Sequence, residues 1–203
     1  MKLLLATKNP KKLRELQELV GPLGVEVVSP ADCGGIPDVV EDGSTFEENA
    51  AKKATSGARA TGTWCIGDDS GLEVDALDGA PGLYSARFAG PEQDDGANNA
   101  KLLAELDATP DAARGAQFVC VLALAAPDGS IAATFRGEAR GRIVREARGD
   151  GRFGYDPLFE FTEPGTPVTG RTFAELTTDQ KASVSHRGRA LATLARELPR
   201  LVS

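Results

Sequence analysis

At 203 residues, with 41% apolar and 26% charged side chains, the chain has a globular composition and enough length for one sizeable core. Its formal net charge of −7 argues against a nucleic-acid polymer as the main partner, and no apolar run approaches the roughly 18 residues of a membrane helix. Cys33, Cys65 and Cys120 lack metal-ligand spacing and fit buried thiols, and the short N-terminal apolar run ended by Lys8 fits no secretory leader, so a cytoplasmic location is expected.

Residues 3–6 read as a buried strand, and from Pro10 onward Leu13, Leu16, Leu19 and Val20 recur at helical spacing. The link carries Thr7, Lys8, Asn9, Lys11 and Lys12 at a helix N-terminus. The helix dipole disfavours cations there, so the lysines are locally costly unless an anion joins them. Backbone N–H groups, the dipole and ammonium groups together make a phosphate cradle. It is not a P-loop, because the Gly-x4-Gly-Lys-Ser/Thr spacing is absent. A solvated basic turn is the other reading of the same residues.

Residues 25–29 predict a second strand, followed by a loop rich in Asp, Gly and Pro through Gly43. Ser44-Thr45-Phe46-Glu47 has a capping-box pattern and opens a helix to about Ala60. Trp64-Cys65-Ile66-Gly67 predicts a short strand that ends in a tight turn at Asp68-Asp69-Ser70-Gly71. Carboxylates leaving a strand end are well placed to hold a hard divalent cation, although Asp-Asp-Ser-Gly is also ordinary turn chemistry. Residues 73–77 alternate as a strand, 78–82 turn, and 98–106 make a short helix. Residues 117–126 and 131–144 flank Pro127-Asp128-Gly129-Ser130, a strong hairpin signal. A loop over 145–156 leads to a short strand at 158–161, and the chain ends in a helix with Leu191, Leu194, Leu198 and Leu201 on one stripe. The pattern predicts one α/β domain, residues 1–203, around a mixed sheet.

Two loop clusters remain. Gly151-Arg152-Phe153-Gly154-Tyr155-Asp156-Pro157 sets two aromatics about a glycine. That suits a ring laid on a base, a contact worth roughly 1–3 kcal/mol, or a hydrophobic plug. Lys181-Ala182-Ser183-Val184-Ser185-His186-Arg187 holds the single histidine of the chain. A lone His is more often structural than catalytic, yet Ser-His-Arg opening the last helix gathers several donors. An Arg fork can read a carbonyl on a base edge. Glu41 and Lys53 stand far apart in the chain, and their spacing alone says nothing.

Taken together, six segments resemble the inosine triphosphate pyrophosphatase family, also called the Ham1 or non-canonical purine NTP pyrophosphatases. They are Ala6-Thr7-Lys8-Asn9-Pro10-Lys11-Lys12, Thr45-Phe46-Glu47-Glu48-Asn49-Ala50, Asp68-Asp69-Ser70-Gly71-Leu72, Gly79-Ala80-Pro81-Gly82-Leu83-Tyr84-Ser85-Ala86-Arg87, Phe153-Gly154-Tyr155-Asp156-Pro157 and Ser185-His186-Arg187. They stand in the family's order and span nearly the whole chain, with Lys8 and Pro10 at variable places of the first motif. The resemblance implies an elongated mixed β-sheet flanked by helices, with two lobes around a central cleft, and a homodimer. It implies Mg2+-dependent hydrolysis of ITP, dITP and XTP to nucleoside monophosphate and pyrophosphate, clearing deaminated purines from the nucleotide pool.

The resemblance also gives residues their roles. Thr7, Asn9 and Lys12, with the intervening backbone, form the triphosphate cradle, and Lys8, Pro10 and Lys11 between them are counted as substrate-binding. Glu41 and Asp69 bind Mg2+, and Asp69 is the general base, supported by Asp68. Ser70 and Lys53 contact substrate. Phe153, Gly154, Tyr155 and Asp156 form the loop that packs on the base, and Lys181, His186 and Arg187 are its polar reader. Two rivals stand beside this reading. A Maf-type pyrophosphatase is disfavoured by the Ser-His-Arg and Phe-Gly-Tyr-Asp segments, and a non-catalytic nucleotide sensor by the three carboxylates Glu41, Asp68 and Asp69.

Overall fold

Three consecutive leucines make β1 (Lys2–Leu5) a strand buried along its whole apolar length. The computed structural model in which it is seen describes residues 1–7, 9–150 and 153–202. Lys8, Gly151 and Arg152, each part of a motif above, lie outside the described residues. Asn9 caps α1 (Pro10–Val20), Pro10 takes the first helical turn, and Leu16 and Val20 are buried. β2 (Glu26–Val28) returns parallel to β1, with Leu3 opposite Val27, which closes a β–α–β unit.

α2 (Phe46–Thr61) is capped by Thr45, whose hydroxyl accepts from the Glu48 N–H at 3.1 Å. The cap lies one residue later than the Ser44–Glu47 pattern indicates. Ser44 is engaged elsewhere, donating both its N–H and its hydroxyl to the Glu48 carboxylate.

β3 (Trp64–Val74) departs most from the sequence reading. It runs unbroken for 11 residues, so Asp68-Asp69-Ser70-Gly71 lies inside a strand and makes no tight turn. Of residues 73–77 only Glu73 and Val74 are strand; Asp75–Leu77 is a turn of 3-10 helix. Local turn propensity loses here because Cys65, Ile66, Leu72 and Val74 are fully buried on both sides of the polar segment. Pairing with β1, Leu3 opposite Trp64 and Leu5 opposite Ile66, adds to the same bias.

α3 (Asp95–Glu105) starts three residues before the predicted helix, because Asp94 caps it by accepting the Ala97 N–H. β4 (Gly115–Ala125) and β5 (Ile131–Ile143) are joined by the expected turn, where the Ala126 N–H donates to the Ser130 carbonyl. β6 (Phe159–Phe161) pairs antiparallel to β5, with Ile143 opposite Phe159. α4 (Thr178–Val184) has no forerunner in the sequence reading. Its seven residues are too few for an apolar stripe, and a capping box between Thr177 and Gln180 opens it. α5 (His186–Leu201) buries Leu191, Leu194 and Leu198 as expected.

The six strands form one mixed sheet in the order β2-β1-β3-β4-β5-β6, flanked by helices, so the α/β class and mixed sheet are as expected. The chain gathers into two compact units, one of Met1–Asp69, Cys120–Arg136 and Arg189–Ser203, the other of Ser70–Val119 and Gly137–Gly188. The first has an aliphatic core that includes Leu3, Leu16, Ile66, Leu122 and Leu194. The second is built on Phe118, Phe159, Phe161 and Phe173, with Leu72 and Leu102 against them. No helix among the described residues is long and apolar enough to cross a membrane.

Candidate active site

In the first unit the polar residues collect just beyond the paired stretch of β1 and β3, which ends with Leu5 opposite Ile66. Consecutive strand residues point to opposite faces. Asp68 therefore turns to α1, where the Lys12 ammonium donates to it at 2.6 Å. Asp69 turns to α2, where the Lys53 ammonium donates to it at 2.9 Å. The Cys120 thiol donates to the other oxygen of Asp68 at 3.9 Å, and the Asp68 side chain is only 1% exposed. Asp68 thus meets Lys12 on the face of β3 opposite to that of Asp69.

Lys53 also donates to Glu41 at 2.9 Å, so two carboxylates meet on one ammonium. Two local features bring them together. The Gly43 N–H donates to the buried Asn49 side chain at 2.8 Å, which ties the end of the Glu41 loop to α2. Gly67 lets α2 lie directly on β3, since a Cβ there would come within 2.0 Å of the Ala50 carbonyl oxygen. Asn49 and Gly67 carry no chemistry of their own; Asn49 belongs to the family-like segment Thr45–Ala50, whereas nothing but its place at the predicted strand end marks Gly67.

Burial pushes the Lys53 pKa down, but Asp69 and Glu41 outweigh it and hold the ammonium above its usual range. Asp69 is shifted up, by burial first and by the like charge of Glu41, against the pull of Lys53. Two carboxylate oxygens gathered on a point cation form the hard donor set that Mg2+ prefers. Among the described residues no group of three or more His, Cys, Asp or Glu surrounds that point. Water and phosphate oxygens would complete the coordination, which suits an ion that keeps several waters. The residues present fit the ion.

At the N-terminus of α1 the Asn9 side chain accepts from the N–H groups of Lys11 and Lys12, and the Asn9 N–H donates to the Thr7 hydroxyl. Lys11 is exposed, and no acidic residue stands in the first helical turn. Lys11 and Lys12 thus stand at the N-terminus of α1, with the Asn9 side chain satisfying the backbone donors of both.

In the second unit the two aromatics of the loop part company. Phe153 is 49% exposed, whereas Tyr155 is 4% exposed and donates its hydroxyl to the Ser85 carbonyl at 2.9 Å. Of the two roles open to this loop, Tyr155 fills that of a hydrophobic plug, and Phe153 is the ring that stays accessible. Core packing took Tyr155 because its hydroxyl finds a buried acceptor. Gly154 between them has φ +53° and is held on both sides, its N–H by Asp95 and its carbonyl by Asn99.

Asp156 is buried and ion-paired with Lys181, whose ammonium lies 5.5 Å from the centre of the Phe153 ring. His186 stacks on Phe118 at 4.7 Å, the planes 13° apart. Arg187 reaches the Ser70 hydroxyl at 3.4 Å. Ser185 starts this segment as the cap of α5, accepting the Gly188 N–H at 3.1 Å. Gly188 cannot carry a side chain, because a Cβ would fall 1.8 Å from the Ala182 carbonyl oxygen of α4. Phe153, Asp156 and Lys181 form one group, and Ser70, His186 and Arg187 lie on the other polar segments of this unit.

Comparison with known proteins gives these groups a setting. The chain is 53% identical over 201 residues to a dITP/XTP pyrophosphatase of Desulforamulus reducens, covering 99% of this chain and 97% of that protein. A Ham1 protein of Coxiella burnetii superposes with a TM-score of 0.90 at 40% identity, covering 98% of this chain and 99% of the other. A nucleoside-triphosphatase, or dITP/XTP pyrophosphatase, of Mycobacterium abscessus superposes with a TM-score of 0.78 at 48% identity, covering 96% and 97%. The family description that matches covers residues 3–197, and the chain belongs to the Ham1 family.

Proposed function

We propose that the protein is a Mg2+-dependent nucleoside triphosphate pyrophosphatase acting on ITP, dITP and XTP. The observation that carries this reading is the convergence of Glu41 and Asp69 on the Lys53 ammonium, at 2.9 Å each. Kinship with dITP/XTP pyrophosphatases over nearly the whole chain supports the substrate class.

Glu41 and Asp69 would hold Mg2+, which when bound neutralises phosphate charge and polarises the reacting phosphorus centre. Lys11 and Lys12, with Thr7, Lys8, Asn9 and Pro10 around them, meet the outer phosphates at the positive end of α1. Asp68 keeps Lys12 oriented for that contact. Asp69 takes the proton of the attacking water, a step worth typically about 10²–10⁴-fold. Its upward-shifted pKa makes it a better proton acceptor than an exposed carboxylate. The water oxygen bonds to the α-phosphorus, the bond to the β-phosphate bridge breaks, and pyrophosphate leaves with its charge met by lysines.

The exposed Phe153 ring packs on the purine, and His186 and Arg187 donate to the carbonyl at purine position 6. Adenine carries an amino donor there, so ATP sets donor against donor. A site built to bond a substrate group rejects an analogue lacking it by about 10⁴-fold or more. Guanine shares the carbonyl, and weak hydrolysis of GTP is expected from the family resemblance. A cytoplasmic place agrees with Cys33, Cys65 and Cys120 carrying no disulfide among the described residues. The homodimer rests on the resemblance; sedimentation should give twice the 21.2 kDa chain, and a monomer would refute it.

Incubation with ITP, XTP, GTP and ATP tests the reaction. IMP and pyrophosphate are expected from ITP in Mg2+, with little turnover of ATP. Inosine diphosphate and orthophosphate as first products, or undiminished hydrolysis in excess chelator, would overturn it.

A further inference from the structure

A cavity of about 310 Å3 opens in the second unit, lined by four arginines, Arg114, Arg142, Arg145 and Arg148, and by the carboxylates Asp111, Glu146 and Glu160. Four guanidinium groups around one small cavity are unexpected in a chain of net charge −7. None of these residues has a part in the nucleotide chemistry above.

Arg114 is 2% exposed and donates to the backbone carbonyls of Leu106 at 2.6 Å, Ile143 at 2.8 Å and Val144 at 3.3 Å. Among the described residues no carboxylate pairs with it. Burial and the nearby charge of Arg145 lower its pKa, against the pull of the Asp111 and Asp107 carboxylates. Arg148 gives one nitrogen to Glu160, while its Nε, with no hydrogen-bond acceptor among the described residues, lies 4.0 Å from the Glu175 carboxylate. Arg142 gives only its Nε to Glu160, and Arg145 spends its Nε on Asp111 and its Nη2 on the Thr109 carbonyl. Each guanidinium carries five N–H donors, so the cup holds more donors than its carboxylates accept.

We propose that this arginine cup binds a small phosphate-type oxyanion, orthophosphate or pyrophosphate. A carboxylate offers two oxygens in one plane and satisfies one Arg fork. A tetrahedral phosphate offers oxygens in several directions, which suits a cavity lined by several guanidinium groups, those of Arg142, Arg145 and Arg148 among them. The cup does not depend on the nucleotide reaction, and a failure of either leaves the other standing.

Calorimetric titration of the full chain with pyrophosphate, and separately with orthophosphate, tests the site at ionic strength held constant with KCl and with a chelator present. The comparison set is wild type, Lys12→Ala, Arg142→Ala and Arg145→Ala, each checked for an unchanged melting transition. Arg142 and Arg145 are about half exposed, so both alanine variants should fold. Binding that survives in Lys12→Ala and weakens at least about 10-fold in the two arginine variants supports the cup. Orthophosphate binding as well as pyrophosphate marks a site for a single phosphate group, and binding of pyrophosphate alone marks one that needs both. Loss of all binding in Lys12→Ala, equal binding in the arginine variants, or no binding of either anion would overturn the proposal.

Discussion

Lys12, Lys53, Glu41, Asp68 and Asp69 of the first unit are matched cation to carboxylate, each lysine answered on its own face of β3. In the second unit His186 is instead laid against Phe118, within a cluster where Phe118 lies 4.6 Å from Phe159 and Phe159 4.8 Å from Phe173. The difference separates two kinds of recognition. Paired flexible ammonium and carboxylate groups respond to the charge of a ligand and rearrange with it. Rings packed at native density fix the direction in which a His or Arg presents its donors. Charge in one unit should therefore govern rate, and shape in the other should govern choice of base.

The sharpest way to break that contrast is Asp69→Asn. Turnover of ITP is expected to fall at least about 10²-fold while the melting transition stays in place. Full activity would remove Asp69 from the chemistry and leave the first unit a binding surface.

Arg187→Ala addresses the other half. The kcat/KM for ITP should drop about 10²-fold and that for residual ATP hydrolysis far less, as expected when a donor to the 6-carbonyl is lost. An equal loss for both nucleotides would mean that Arg187 holds phosphate or structure.

Asp68→Asn sharpens the comparison within the first unit. With Lys12 no longer held, KM for ITP should rise about 10-fold while kcat stays within about threefold. A loss in kcat matching that of Asp69→Asn would show that the two carboxylates act together after all.

The smallest effect belongs to a residue outside the nucleotide groups. Glu160 is buried, which alone would raise its pKa, but hydrogen bonds from Arg142 and Arg148 outweigh this and hold it below the usual carboxylate range. A depressed folded pKa contributes stability above the unfolded value and loses it as pH falls through the folded one. Glu160→Gln should cost about 1–3 kcal/mol at neutral pH. The gap in Tm from wild type should close in thermal melts below about pH 4. A gap independent of pH would show that packing and not charge is what Glu160 supplies.

Several elements were legible in the chain because their signals are local. Asn9 and Pro10 open a helix wherever they stand together before an apolar repeat, and Pro127-Asp128-Gly129-Ser130 turns a hairpin by its own backbone preferences. The short α4 leaves no periodic signal, because seven residues are too few to show one. The segment at Asp68-Asp69-Ser70-Gly71 was misread as a turn, since its residues favour turns and only the burial of Ile66 and Leu72 on either side makes it a strand.

By itself, then, the sequence determined the α/β class, the family and the types of group that carry its chemistry, because these reside in residue order and in short-range backbone preference. Tertiary structure alone decided which group meets which. Strand alternation sends Asp68 to Lys12 and Asp69 to Lys53, a loop tied down by Asn49 brings Glu41 to the same ammonium, and core packing takes Tyr155 inside while leaving Phe153 out. Such pairings join residues far apart in the chain, and their energies come from burial and through-space charge, which no local pattern records.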